Sequence, residues 1–170
     1  MDCILSTAIA LPCRGSKGGV QTVYVAEFDA VVRPLSIVAG VATLTMEAAK
    51  KFFTYSLRQG AGEAMSTIGG ERAVGGRFYT HSVAFRLEKF EVVKRNELSA
   101  LAAARVVIIV VDENDKAFVY GLERGLEVSE GTAQTGTASA DQNGFAFTLT
   151  SEEPAQPYSI DPTTIAGLIA

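Results

Sequence analysis

Tryptophan is missing from this chain of 170 residues, histidine occurs once and cysteine twice. A structural zinc needs three or four ligands at finger or ribbon spacing, whereas Cys3, Cys13 and His81 are scattered singly. A metal site is therefore not expected. Two thiols also fall short of the dense cysteine framework of a secreted mini-domain, so Cys3 and Cys13 are expected to be free. With no tryptophan and only five tyrosines, there is little from which to build an aromatic platform for sugars.

Positive charge is also scarce. Fifteen Lys and Arg face nineteen Asp and Glu, a formal charge of −4, so the chain lacks the basic surface with which proteins neutralise nucleic-acid phosphates. Long apolar runs are missing too: Val106–Val111 is wholly apolar but stops at Asp112, well below the roughly 18 to 20 residues of a membrane span. A soluble protein with no membrane partner is expected. Residues 1–13 are apolar enough to suggest a secretion signal, yet Asp2 is present and no Lys or Arg precedes the apolar stretch, which points to an arm.

What is present is a globular composition, 48% apolar and 20% charged, in a length that suits one domain. Strand-like alternation runs through Val20–Phe28, Lys51–Gln59, Arg77–Phe90 and Phe145–Thr150. In Arg77–Phe90 it sets Tyr79, His81, Val83, Phe85 and Leu87 against Thr80, Ser82, Ala84, Arg86 and Glu88. Val106–Val111, the turn Asp112–Asp115 and Lys116–Gly121 predict a hairpin whose first strand is covered on both faces. Residues 29–48, with Pro34 and Gly40, fit short strands and a loop. The period changes to three and four only at Leu98, Leu101, Ala102 and Arg105, which predicts one helix over about 92–105.

Strands joined mostly by turns predict a mainly β fold, an antiparallel sandwich or barrel with one flanking helix. The expected organisation is an N-terminal arm at 1–16, a β-rich domain at 17–153 and a C-terminal arm at 154–170, where Pro154, Pro157 and Pro162 argue against further sheet. Glycine-rich residues 60–76 are expected to be a long mobile connection, and 125–136 a second loop.

No catalytic, cofactor-binding or metal-binding residue is expected. His81 falls on the apolar face of a strand with no G-x-S-x-G elbow in the chain, so it reads as a buried structural side chain. Asp112–Asp115 lacks the central glycine and terminal glutamate of a calcium loop and reads as a solvated turn. Gly60-Ala61-Gly62 lacks the third glycine, the lysine and the strand-to-helix setting of a phosphate loop. Glu152 and Glu153 are neighbours pointing in opposite directions, an expected charged edge.

Four stretches, taken in order, carry a resemblance to a known family: CRGSKGGVQTVYVAEF at 13–28, FTYSLRQGAGE at 53–63, VVIIVVDENDKAFVYG at 106–121 and TGTASADQNGFAFTLT at 135–150. The sequence is similar to the tail tube proteins of tailed bacteriophages, including virion structural proteins of phages of gut bacteria. It departs at 112–116, where similar sequences carry Asn-Gly and a tighter hairpin, and in its short, alanine-rich middle.

The resemblance implies a tail-tube-like sandwich flanked by a helix, and subunits that stack as rings whose strands close a continuous inner barrel. It implies a non-enzymatic homo-oligomer in the virion, assembled in the host cytoplasm, with other tail proteins as partners and genomic DNA passing through the lumen without specific binding. On that basis 52–59 and 77–90 are expected to line the tube as one long hairpin, 60–76 to reach the next ring, and the apolar arms at 1–12 and 163–170 to be covered by neighbours. Another virion part, such as a head decoration, tail terminator or neck protein, or an injection-system tube protein, is the alternative.

Overall fold

The computed structural model describes residues 7–11, 14–71, 73 and 75–170. In chain order the elements are β1 (Val20–Glu27), a 3-10 turn (Phe28–Ala30), β2 (Ser36–Val38), β3 (Val41–Thr43), β4 (Phe53–Ser56), β5 (Gly62–Gly69) and β6 (Phe78–Glu88). They continue with α1 (Val92–Ala103), β7 (Val106–Asp112), β8 (Ala117–Tyr120), β9 (Glu127–Gln134), β10 (Gly144–Glu153), β11 (Tyr158–Ile160) and α2 (Pro162–Ile165). A seven-stranded sheet runs β2-β3-β11-β8-β7-β1-β4, and a four-stranded sheet runs β5-β6-β10-β9. The class is thus mainly β and sandwich-like, with one main helix; among the described residues neither sheet closes into a barrel.

The apolar run of β7 explains the layering. Val106, Ile108 and Val110 enter one core cluster with Val83, Phe85, Leu149 and, from α1, Leu98 and Leu101, between the two sheets. Val107 and Ile109 point the other way, into a second cluster with Phe28, Leu44, Phe52, Leu122, Ile160 and Ile165. Alternate side chains leave opposite faces of a strand, so a strand that is apolar throughout must have a core on each side. The hairpin, the expectation for β1 and the short strands of 29–48 all hold, with β7 paired to β8 from Ile108 opposite Tyr120 to Val111 opposite Ala117.

Four expectations are corrected. Residues 60–76 are not a long loop, because Gly62–Gly69 forms β5, paired to β6 from Gly62 opposite Phe85 to Gly69 opposite Phe78. Its small residues serve close approach: a Cβ on Gly62 would lie 2.6 Å from Leu57 Cδ1 and 3.0 Å from Val20 Cβ. Residues 125–136 contain β9, which pairs with β10, and its Gly131 leaves room for the Phe147 ring, 3.0 Å from where a Cβ would stand.

Residues 52–59 and 77–90 do not form one hairpin, since β4 pairs with β1 while β6 pairs with β5 and β10 in the other sheet. Finally, 154–170 is no detached arm. β11 inserts between β8 and β3, Phe52 N–H donates to Leu168 O at 2.9 Å, and Ala170 N–H donates to Phe52 O at 3.0 Å. The prolines sit around the ladder rather than in it: Pro154 and Pro157 precede β11, and Pro162 opens α2, where no N–H is needed.

Of the N-terminal arm, residues 7–11 carry no regular structure and are exposed. Cys3 and Cys13 lie outside the described residues.

Candidate functional site

The four-stranded sheet has one face in the core and one in solvent, and its register fixes which side chains lie where. His81, Val83, Phe85 and Leu87 of β6 face inward, opposite Ser66, Ala64 and Gly62 of β5 and Ser151, Leu149, Phe147 and Phe145 of β10. The outer face is then Glu63, Met65, Thr67 and Gly69 on β5, Phe78, Thr80, Ser82, Ala84, Arg86 and Glu88 on β6, and Ala146, Thr148, Thr150 and Glu152 on β10. β9 adds Glu127, Glu130, Thr132 and Gln134, with a bulge opposite Thr148 and Leu149 that leaves Ser129 out of register.

Within these strands the outer face bears five glutamates and one arginine among Thr, Ser and Ala, with Met65 and Phe78 as its exposed apolar side chains. The arginine is engaged, with Arg86 Nη2 donating to Gly60 O at 2.9 Å. At the rim Arg58 Nε lies 2.8 Å from Glu88 Oε2. A shallow depression of about 520 Å³ crosses this face, lined by Glu63, Ala84, Arg86, Ala146 and Thr148.

Among the described residues both margins of this sheet are unpaired, at β5 and β9. All its pairings are antiparallel and its strand number is four, so the two margins run in opposite directions. Copies related by rotation can therefore join β9 to a neighbour's β5 antiparallel, without breaking the alternation.

Under the inner face lies a buried polar node. His81 is 3% exposed; its Nε2–H donates to Ala155 O at 3.0 Å, and its Nδ1 accepts from Gly121 N–H at 3.3 Å. Burial lowers its pKa, with the Ala155 carbonyl working against that. Both ring nitrogens are held by main chain, so neither is free to take a proton from a nucleophile.

Glu153 is 2% exposed, against the expectation of a charged edge. Its carboxylate accepts from Glu123 N–H at 3.1 Å, Arg124 N–H at 3.0 Å and Ser151 Oγ at 3.3 Å, tying the end of β10 to the turn after β8. Burial pushes its pKa up despite the opposing main-chain bonds. Tyr158 OH donates to Glu123 Oε1 at 2.7 Å, and burial followed by that carboxylate pushes the phenol up to about 12.

The Asp112–Asp115 turn is as expected. Asp112 Oδ1 accepts from Asn114 N–H at 2.9 Å and Lys116 N–H at 2.8 Å. Gly60 and Ala61 form the turn into β5, with Ala61 N–H donating to Arg58 O at 2.9 Å. Among the described residues no group of three His, Cys, Asp or Glu is placed to hold a metal ion, and no helix is long and apolar enough to cross a membrane.

Sequence reading alone missed Glu63, Glu127 and Glu130, because their segments read as loops. The signal was there in the alternation of small and polar residues in GEAMSTIG and EVSEGTAQ. Glu153 gave no such signal, since its burial depends on a turn some thirty positions away in sequence.

The chain finds no match among protein-family models, curated proteins or solved structures.

Proposed function

We propose that this chain is a non-enzymatic structural subunit that assembles with copies of itself into stacked rings, as a tail tube protein of a tailed phage. One observation carries the reading: a four-stranded sheet with two opposed open margins and a polar, acidic outer face. Among the described residues, an eight-residue margin at β5 and another at β9 leave rows of main-chain N–H and C=O groups outside any ladder. Joining them around a ring satisfies both rows and turns the outer face into a lumen wall.

The chemistry of that face suits a conduit. Five glutamates repel phosphate, and short Thr, Ser and Ala side chains offer a duplex nothing to grip, so DNA passes without binding. An enzymatic reading has less behind it, because the one histidine is buried with both nitrogens occupied by main-chain groups. The resemblance of the four quoted sequence stretches to tail tube proteins points the same way, and with it a place in the virion.

Electron microscopy of the purified protein is the test. Hollow filaments of constant bore are expected; single closed rings would move the reading to a terminator or neck role. A monodisperse monomer at high concentration would overturn it.

A further inference from the structure

The edge strand of the larger sheet carries a second unfilled surface. Among the described residues β4 is paired with β1 on one side only, and the ladder begun on its free side by Leu168–Ala170 reaches no further than Phe52. Phe52 directs its N–H and C=O outward to that segment. Main-chain groups alternate along a strand, so Thr54 and Ser56 direct theirs outward too. Beside this open margin runs a groove of about 560 Å³ between β4 and α1, lined by Phe53, Tyr55, Leu87, Val93 and Leu98. Phe53 is 54% exposed and Val93 80%.

The same chain carries a segment that matches. Ala8-Ile9-Ala10-Leu11 alternates small with large, and both Ile9 and Leu11 are 97% exposed. Laid along β4 as a strand, it places Ile9 and Leu11 on one face, into the groove, and the alanines on the other. Its own body does not direct it there. Lys17 N–H donates to Asn114 Oδ1 at 2.9 Å, Asn114 Nδ2 donates to Lys17 O at 2.8 Å, and Glu113 N–H donates to Gly19 O at 3.2 Å. These bonds fasten 17–19 to the β7–β8 turn, on the side of β1 away from β4.

We infer that residues 8–11 of one copy add as a strand to β4 of a second copy, with Ile9 and Leu11 filling the β4–α1 groove. The inference rests on the reading that copies of the chain assemble, but uses a margin distinct from the β5 and β9 edges that close a ring. It links subunits through a tether, so contact survives small rotations of one body against the next.

Disulfide trapping tests it in full-length chains carrying Cys3→Ser and Cys13→Ser. One variant carries Leu11→Cys, another Val93→Cys, and the two are mixed and oxidised. Mixed dimers well above the amount formed by either variant alone are expected. Adding Ile9→Asp to the first variant is expected to lower their yield roughly tenfold, the loss of one buried aliphatic side chain.

No mixed dimers would overturn the inference. So would a single chain carrying both cysteines that closes on itself at every dilution while the mixture stays uncoupled, since the arm would then dock on its own body. Trapped dimers without hollow filaments refute the tube and leave the exchange standing; filaments without trapped dimers do the reverse.

Discussion

Replacing Glu153 by alanine removes a buried carboxylate that holds two main-chain donors, Glu123 N–H at 3.1 Å and Arg124 N–H at 3.0 Å. Hydrogen bonds to a charged group contribute about 1.5–3 kcal/mol each. Part of that is offset, because burial already disfavours the ionised form and Arg124 is exposed enough for water to reach. The expected net loss is about 2–4 kcal/mol, a fall in melting temperature on the order of 10 °C.

The pH dependence gives a second readout. The folded state holds the Glu153 proton more tightly than the unfolded chain does, so wild-type stability gains as pH falls through the raised folded pKa toward the ordinary glutamate value. The alanine variant lacks this gain. Urea denaturation followed by circular dichroism between pH 7 and 5 should therefore show the gap between the two proteins widening toward acid. A gap under about 0.5 kcal/mol at pH 7 would refute the anchoring role assigned to the carboxylate, being within the range of an ordinary surface change. A gap that narrows toward acid would refute the claim that burial outweighs its hydrogen bonds.

Other perturbations read different parts of the fold. Phe52→Ala empties a fully buried site in the second core, and a loss of about 3–5 kcal/mol in urea unfolding is expected. Gly121→Ala forces a side chain into a residue at φ 68° whose Cβ would stand 2.7 Å from Leu126 Cγ, so a loss of at least about 1–3 kcal/mol should appear in the same assay. Burial alone raises the Asp112 carboxyl, but the Asn114 side chain and the N–H groups of Lys116 and Asn114 together hold it below its ordinary value. Its contribution is complete well above the ordinary value and fades as pH falls through the folded one, so Asp112→Ala should flatten the acid limb of the stability profile. Glu127→Lys with Glu130→Lys should leave the melting temperature within a few degrees, because both side chains are exposed, yet make assembled protein retain duplex DNA at low salt in a sedimentation assay.

Where large apolar side chains alternate, the sequence and the fold agree. Val23 and Val25 of β1, Val83 and Phe85 of β6, and Phe145 and Leu149 of β10 all reach the core between the sheets, and the unbroken run of β7 marks the strand with a core on each side. Leu98 and Leu101 likewise mark the buried side of α1. β5, β9 and β11 were illegible for separate reasons. β5 and β9 are built from small and polar residues because one face is in solvent and the other lies close under side chains such as Leu57 at Gly62 and Phe147 at Gly131, so glycine there reports tight packing rather than freedom. β11 is three residues long, and its membership comes from neighbours on both sides that no local pattern announces. The outer acidic face followed β5 and β9 out of view, since a residue cannot be assigned to a face until its segment is known to be a strand.

On the proposed reading, the distribution of apolar side chains also decides which surface is left for assembly. The seven-stranded sheet has a core on each face, the second closed by Phe28, Leu44, Leu122 and Ile165 from the segments around it. The four-stranded sheet contributes only its inner face to a core, and among the described residues Glu63 and Glu130 on the other side are exposed and Ser82 and Thr148 half-buried. On that reading this sheet needs no apolar cover on its free face, only partners for its margins. An even strand number makes those margins antiparallel to one another, so on the same reading a second copy meets the need without any new element. On the proposed reading, the core shared by the two sheets holds the subunit together, and the smaller sheet presents a wall segment that is completed by its neighbours.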